Sequence, residues 1–462
     1  MSRNRGNVVP LPGPRTFIDN LRLTRTLLVD PIPTLDTCAE RYGPTFALRV
    51  GPVRLVVVGD PADLSQVFAQ PSTSYRWGHW ANVLGFIVGP TSMIVSDGEV
   101  HQRRRAVVQP AFARRTLDGW IPMILEETDR AIDRRLHPGL AEGRAVDIYP
   151  VGKDLVLAIT VRAFFGNGLE HRTGEIGAIF DELQAYLELP GAKQIPHRLP
   201  FTQRARARAA RHAFDAIVDD EIVRRRTTQP LPTADQPHDL LDVFLADGAD
   251  CSPEEIHDQV NTLIGAGYNT TAATLAWTVQ RALSSPGVWA RLRVEASRAP
   301  MAGADLVAGD PQVLRALPFA GAVVREALRL HPAGAVSPRQ AVTEIRVGDH
   351  VIPRSAMILW SPYLAGRNGG AWEDPLTFCP DRHLDPTPEA AARMDQAWLP
   401  FGKGPRRCIG FALAQMELTL ILARLAQRLD LELDRPEVPA PYGMVVNRPQ
   451  GGVPVRGAAA PA

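Results

Sequence analysis

The segment Phe401-Gly402-Lys403-Gly404-Pro405-Arg406-Arg407-Cys408-Ile409-Gly410 is where the residue types of this chain point most directly to chemistry. Its glycines and proline dictate a tight, irregular turn. The turn delivers Cys408 to the start of a long helical pattern, Ile409–Leu429. Free N–H groups and the positive end of a helix dipole favour thiolate over thiol, as do Arg406 and Arg407 nearby. A thiolate held this way is a metal ligand or a nucleophile. No partner cysteine or histidine lies nearby at zinc spacing, so haem iron is the better fit. Gly410 removes a side chain where a flat cofactor needs room.

Three further groupings stand out. Glu326-Ala-Leu-Arg329 places two opposite charges one helical turn apart. His101 and Arg105 are likewise one turn apart, within a basic stretch that includes Arg103 and Arg104. Ala266-Gly267-Tyr268-Asn269-Thr270-Thr271 sets small residues and a threonine in the middle of a long helix. Small residues let a helix pass close to a flat surface. A mid-helix threonine can bond the carbonyl one turn earlier and bend the helix.

These groups need elements to position them. Ser252-Pro253-Glu254-Glu255 is a capping box with proline at the first helical position. It opens a helix that runs to about Ser284 and carries Ala266–Thr271. A second helix covers Phe319–Leu330, between Pro318 and Pro332. Phe46–Val50 and Val53–Val58 flank Gly51-Pro52 and read as a β-hairpin, and Ala62–Ala69 as a short helix. Ile345–Val347, His350–Ile352 and Met357–Leu359 are short strands. Helical periodicity dominates Val100–Arg226, followed by a polar linker at Thr227–His238. Ser361–Pro405 reads as loop-rich. Residues 1–40 carry Pro10, Pro12, Pro14, Pro31 and Pro33 and read as an extended lead-in. Residues 41–455 then form one domain, mainly α with small β-sheets, and 456–462 a short tail.

The Cys408 segment resembles the haem-binding signature FxxGxRxCxG of the cytochrome P450 family at Phe401, Gly404, Arg406, Cys408 and Gly410. The resemblance implies the cytochrome P450 fold, with haem b between the Gly267–Thr270 helix and the helix after Cys408. It implies that Cys408 is the axial thiolate, that Phe401 packs beside the ligand loop, and that Arg406 reaches a propionate. His101 and Arg105 resemble the family's propionate-binding pair, and Arg339 a further contact. Glu326 and Arg329 resemble a buried network completed by Arg382 of Pro380-Asp381-Arg382-His383. Ala266, Gly267 and Thr270 match the family's oxygen-activating helix, with Thr270 as the alcohol. The sequence departs from the pattern at Asn269, where an acid is usual. An amide holds water but loses no proton near neutral pH.

The implied activity is that of a monooxygenase, inserting one atom of O2 into a hydrophobic small molecule. A haem-thiolate enzyme of atypical chemistry (peroxygenase, desaturation or rearrangement) is the alternative that Asn269 raises. A non-enzymatic haem ligand-binding protein is a weaker one. No iron–sulfur cysteine set or dinucleotide turn occurs, so electrons come from outside, by resemblance from a ferredoxin or flavodoxin with its reductase. Lys403, Arg406 and Arg407 are candidates for its basic docking face. Pocket candidates are Trp80, Leu84 and Phe86 of the Trp77–Ile87 loop, Ala266, and Val336 of the turn Ala333–Val336. Tyr186, Leu187 and Leu189 are candidates for its roof.

The 462 residues are 45% hydrophobic and 22% charged, and a formal net charge of +1 excludes a global nucleic-acid binder. Four cysteines, none in a CxxC pair, fit a reducing compartment. With no signal-peptide core and no apolar run of membrane-spanning length, the expectation is a cytoplasmic protein without a membrane anchor. The arginine- and alanine-rich composition suggests a bacterial source, and secondary metabolism is the expected setting.

Overall fold

The computed structural model describes residues 9–77, 83–190, 193–228, 239–246, 251–301 and 311–458. Trp80 and most of the Thr227–His238 linker lie outside them.

The lead-in is helical, contrary to the expectation of an extended chain. Helices α1 (Phe17–Leu27) and α2 (Pro31–Tyr42) occupy it. Its prolines mark boundaries: Pro31 sits at the first position of α2, where the missing N–H costs nothing. Thr16 caps α1 through its side chain.

Strands β1 (Thr45–Val50) and β2 (Val53–Val58) form the expected hairpin. A five-stranded sheet grows from it. Strand β3 (Tyr75–Arg76) lies at its far edge, next to β4 (Ser337–Ala341). Strand β5 (Met357–Trp360) is central, parallel to β2 and antiparallel to β4. The register sets Ser337 opposite Trp360 and Arg339 opposite Ile358, so these four side chains share one face.

Helix α3 (Gly98–Val108) carries His101 and Arg105 and begins after Asp97. Helices α4 (Ile148–Phe165), α5 (Thr173–Leu187) and α6 (Gln203–Thr228) follow. Helix α7 (Pro253–Ser284) runs unbroken for 32 residues behind a complete Ser252–Glu255 capping box. Its buried residues lie on all sides, as expected of a helix through the centre of a core. Helix α8 (Pro318–Leu330) carries Glu326 and Arg329. The loop-rich stretch contains one longer helix, Pro388–Ala397.

Helix α9 (Phe411–Arg428) begins three residues after Cys408, later than the sequence pattern suggests, and Gly410 occupies its N-cap. The main core joins apolar faces of α4, α5, α7, α8 and α9, while the sheet packs on two smaller clusters.

The candidate active site

The loop before α9 is closed by Cys408 N–H donating to Phe401 O at 2.9 Å. Gly402 (φ 66°) and Gly404 (φ 73°) hold left-handed conformations that a side chain would strain. Phe401 packs against Trp398 and Phe411, with ring centroids 5.8 and 6.4 Å away. The sequence motif is therefore a motif of backbone shape.

Cys408 lines a cavity of about 390 Å³ between α7 and this loop. The other wall is the Ala266, Gly267 and Thr270 face of α7. A Cβ on Gly267 would meet nothing within 4 Å, and one on Gly410 only Phe112, at 3.8 Å. Both glycines leave the room that a flat group needs. Burial pushes the Cys408 thiol up, against the N–H of Gly410, Arg105 and Arg407, which pull it down. Burial thus outweighs the expected bias toward thiolate in the protein alone, and α9 starts two residues later than the sequence pattern suggests.

Thr270 Oγ1 donates to Ala266 O at 2.7 Å, the back-bond expected of a mid-helix threonine. Thr274 and Thr278 repeat it at 2.8 and 2.7 Å. The helix nevertheless stays α-helical throughout. Asn269 is buried but does not line the cavity; its Nδ2 donates to Gln184 Oε1 on α5 at 3.4 Å.

His101, Arg105, Arg339 and Arg406 converge on one end of the cavity. Burial, Arg406 and Arg105 push His101 down to about 4. This favours the neutral imidazole at His101 and leaves Arg105 as the cation of the pair. Arg406 is bound inside the protein. It pairs with Asp97 Oδ1 at 2.7 Å and donates to the carbonyls of Ser96 and Ile94, the latter at 3.3 Å. It thereby ties the cysteine loop to the start of α3. Burial lowers Arg339 to about 10. Its Nε has no hydrogen-bond partner among the described residues.

Below the loop, Glu326 and Arg329 are fully buried and paired at 2.7 Å. Arg382 reaches Glu326 Oε1 at 3.0 Å, and Cys379 N–H donates to the same oxygen at 2.9 Å. His383 Nε2 bonds Glu326 Oε2 at 2.8 Å. Arg329 also donates to the carbonyls of Pro375 and Thr377 at 2.6 and 3.0 Å. These bonds hold Glu326 down at about 2 against burial, which alone would raise it.

Sequence reasoning found three of these partners and missed His383, although it adjoins Arg382. It also missed Asp97, whose position before α3 is a helix-start signal, and Trp360, which lines the cavity from β5. Leu84 and Phe86, expected in the pocket, do not line it. The Phe86 ring instead carries the Arg204 guanidinium at 3.7 Å and meets Tyr186 edge-on at 5.2 Å. Ala266 and Val336 do line the cavity, with Met93 and Ile94 beside them. Of the proposed docking residues, Arg406 faces inward, Lys403 pairs with Asp395 at 2.8 Å, and Arg407 stacks on Phe411 at 3.7 Å.

No group of three His, Cys, Asp or Glu side chains among the described residues could hold a bare metal ion. One sulfur facing a broad cavity with cations at one end is the donor set of a metal carried in a macrocycle. Comparison with known proteins gives the same class. Residues 10–453 match the Cytochrome P450 family model. "Putative cytochrome P450 139" of Mycobacterium tuberculosis is 32% identical over 371 residues, 79% of this chain and 83% of the relative. "Protein LUTEIN DEFICIENT 5, chloroplastic" of Arabidopsis thaliana is 27% identical over 437 residues, 89% of this chain and 71% of that protein. Two solved structures share the fold at 21% identity. A retinoic acid-bound cyanobacterial CYP120A1 superposes with TM-score 0.79 over 93% of this chain and 95% of its own. The cytochrome P450DA haem domain does so with 0.81 over 97% and 98%.

The fold and site define a haem-thiolate monooxygenase. The chain belongs to the cytochrome P450 family, and its cofactor is haem b. Among the described residues no helix is long and apolar enough to cross a membrane.

Proposed function

We propose that this P450 oxygenates a small apolar molecule seated against α7, with Cys408 as the iron ligand and electrons drawn from a separate redox protein. The observation that carries this reading is that Cys408 and Thr270 line the same cavity from opposite elements. Haem b, when bound, supplies reductive activation of O2, one oxygen atom entering the substrate and the other leaving as water.

The chain's own residues do the rest. Arg105 and Arg339 bind carboxylates of the cofactor as cations, and His101 as a neutral N–H donor. Phe401 and the closed loop hold the sulfur toward the cavity. Met93, Ile94, Leu263, Ala266 and Val336 favour an apolar substrate by burial alone. Thr270 holds a proton at Oγ1 beside the reacting space. The ferredoxin or flavodoxin would meet the face near Cys408, where exposed Arg407 is a candidate contact.

The test is the absorption spectrum of the reduced protein with carbon monoxide. A red-shifted Soret band in wild type that Cys408→Ser abolishes supports the ligand assignment. A histidine-type band in both proteins overturns it.

The position of Asn269 favours a second reading, peroxide-driven chemistry. Its amide carries no acidic proton and is turned to α5. Product formed from peroxide and substrate without any reductase, at a rate matching the reductase-driven one, would select that reading.

A further inference from the structure

Helix α1 is apolar on two sides. Leu23 and Leu27 face inward, into a core cluster with Ile32, Leu35 and Phe46. Phe17, Leu21 and Leu28 are spaced by four and seven residues, so they share a different face, and that face is open to solvent. Phe17 is 78% exposed and its neighbour Ile18 76%. A helix needs only one apolar face to pack on its own core.

The patch extends beyond α1. Past α5, Ile195, Leu199 and Phe201 are exposed, Phe201 at 96%. Phe201 also holds φ 58°, a conformation costly for a bulky residue, while its ring stands in solvent. Tyr442 and Val445 in the C-terminal segment are exposed as well. These segments are joined to one another. Asn20 and Thr24 both donate to Arg49 O, at 2.8 and 2.9 Å, fixing α1 to the β1–β2 hairpin. Helix α2 follows α1 and packs against Pro441–Tyr442. Glu188 accepts from Met444 N–H at 2.7 Å, and Gln194 donates to Leu187 O at 3.0 Å. The start of the 193–201 segment is thereby held beside the C-terminal one.

Exposed cations accompany the apolar groups. Arg22 and Arg25 lie on α1, Arg49 and Arg54 on the hairpin, and Lys193 and Arg198 beside Ile195 and Leu199. Asp19 is the one acid in residues 17–29, 49–54 and 193–201. At 11 residues α1 is far too short to span a bilayer, but it can lie along one.

We infer that this side of the protein rests on an anionic lipid surface. Phe17, Ile18, Leu21, Leu199 and Phe201 enter the headgroup layer, and the six cations face lipid phosphates. Large apolar side chains beside arginines on a surface helix are the pattern of interfacial binding. A second copy of the chain fits worse. A two-fold dimer sets each patch against its own like, arginine against arginine.

The experiment sediments the full-length, haem-loaded protein with vesicles of phosphatidylcholine alone or mixed equally with phosphatidylglycerol. The mixed vesicles should bind it roughly tenfold more tightly, and added salt should remove most of that gain. Phe17→Asp combined with Leu21→Asp should weaken binding roughly tenfold or more, and Phe201→Asp should weaken it separately. Arg22→Gln combined with Arg25→Gln should abolish most of the preference for the anionic lipid. All five side chains are exposed, so urea midpoints should match wild type. A wild type that stays in the supernatant with both kinds of vesicle overturns the proposal. So do folded variants that bind as wild type does. Light scattering that shows a dimer, abolished by Phe17→Asp with Leu21→Asp and unaccompanied by vesicle binding, gives the patch to a second copy and equally overturns it.

Discussion

Asn269 Nδ2 donates to Gln184 Oε1 at 3.4 Å, which turns the neighbour of Thr270 toward α5 and not into the cavity. Gln184 in turn donates to Glu188 at 2.7 Å, and Glu188 accepts from Met444 N–H at 2.7 Å. The amide is one link in a chain of bonds that pins the middle of α7 to α5 and to the C-terminal segment at Met444.

Asn269→Asp places an ionisable group where the wild type has none. A positioned acid–base group contributes at least about a hundredfold, and an imperfectly placed one less. With competent redox partners, the variant should divert several times less of its reducing equivalents to peroxide. Peroxide formed per NADH consumed checks this. An unchanged ratio means that protons reach the site without position 269.

Glu326 is the buried hub beneath the cysteine loop. Glu326→Ala leaves Arg329 buried without its counter-charge, a loss of about 3–5 kcal/mol. The pH dependence has a definite sign. The carboxylate is held at about 2 in the folded protein, below its usual 4.5. Its stabilisation is complete above about pH 4.5 and is lost as pH falls toward 2. Urea unfolding between pH 3 and 7 should show wild type losing roughly 2–3 kcal/mol more than Glu326→Gln over that range.

Glu417 behaves oppositely. It lines the cavity from α9, its Oε1 has no partner among the described residues, and burial pushes it up to about 8. The folded protein keeps the proton that the unfolded chain releases above about 4.5. Stability therefore falls as pH rises from about 4.5 to 8, and then levels. Glu417→Gln should remove that fall, worth several kcal/mol on the scale of about 1.4 kcal/mol per pH unit. Urea midpoints of both proteins at pH 5.5 and 8 decide it. A wild type no less stable at pH 8 would mean that the carboxyl finds a partner.

Arg211 clasps three elements. From α6 it donates to Ile87 O at 2.9 Å, pairs with Asp215 at 2.9 Å, and pairs with Asp258 on α7. Asp258 also accepts from Thr91 N–H at 2.7 Å. The loop that brings Met93 and Ile94 to the cavity is thus tied to α6 and α7 by one guanidinium. Arg211→Met should cost about 3–5 kcal/mol, because Asp258 stays buried and loses its charge partner. It should also speed entry of an azole ligand, measured by stopped-flow absorbance. Arg211→Met/Asp258→Asn should regain much of the stability while keeping the faster entry.

What could be read in advance follows from locality. The cysteine loop was legible because glycine and arginine at fixed offsets define a backbone shape. Helix α7 was legible because its capping box and unbroken pattern are local. The charge state of His101 was not, since it depends on burial and then on Arg406, three hundred positions away in sequence. The docking role given to Arg406 failed to anticipate Asp97 for the same reason. Phe86 is not settled by its sequence, because an aromatic residue in a loop can turn toward a cavity or toward a guanidinium, and Arg204 lies more than a hundred positions further along the chain. Trp360 carried no signal at all: only the pairing of β4 with β5 puts its indole beside Arg339.

The Thr270 back-bond has one more consequence. A hydroxyl has a single proton, and Thr270 gives it to Ala266 O. Toward the cavity the side chain therefore shows lone pairs. It greets an arriving water or substrate hydroxyl as a base greets an acid, receiving a hydrogen bond before it can offer one. To donate, it must first turn away from its own helix, and that rotation is a gate built from one torsion angle.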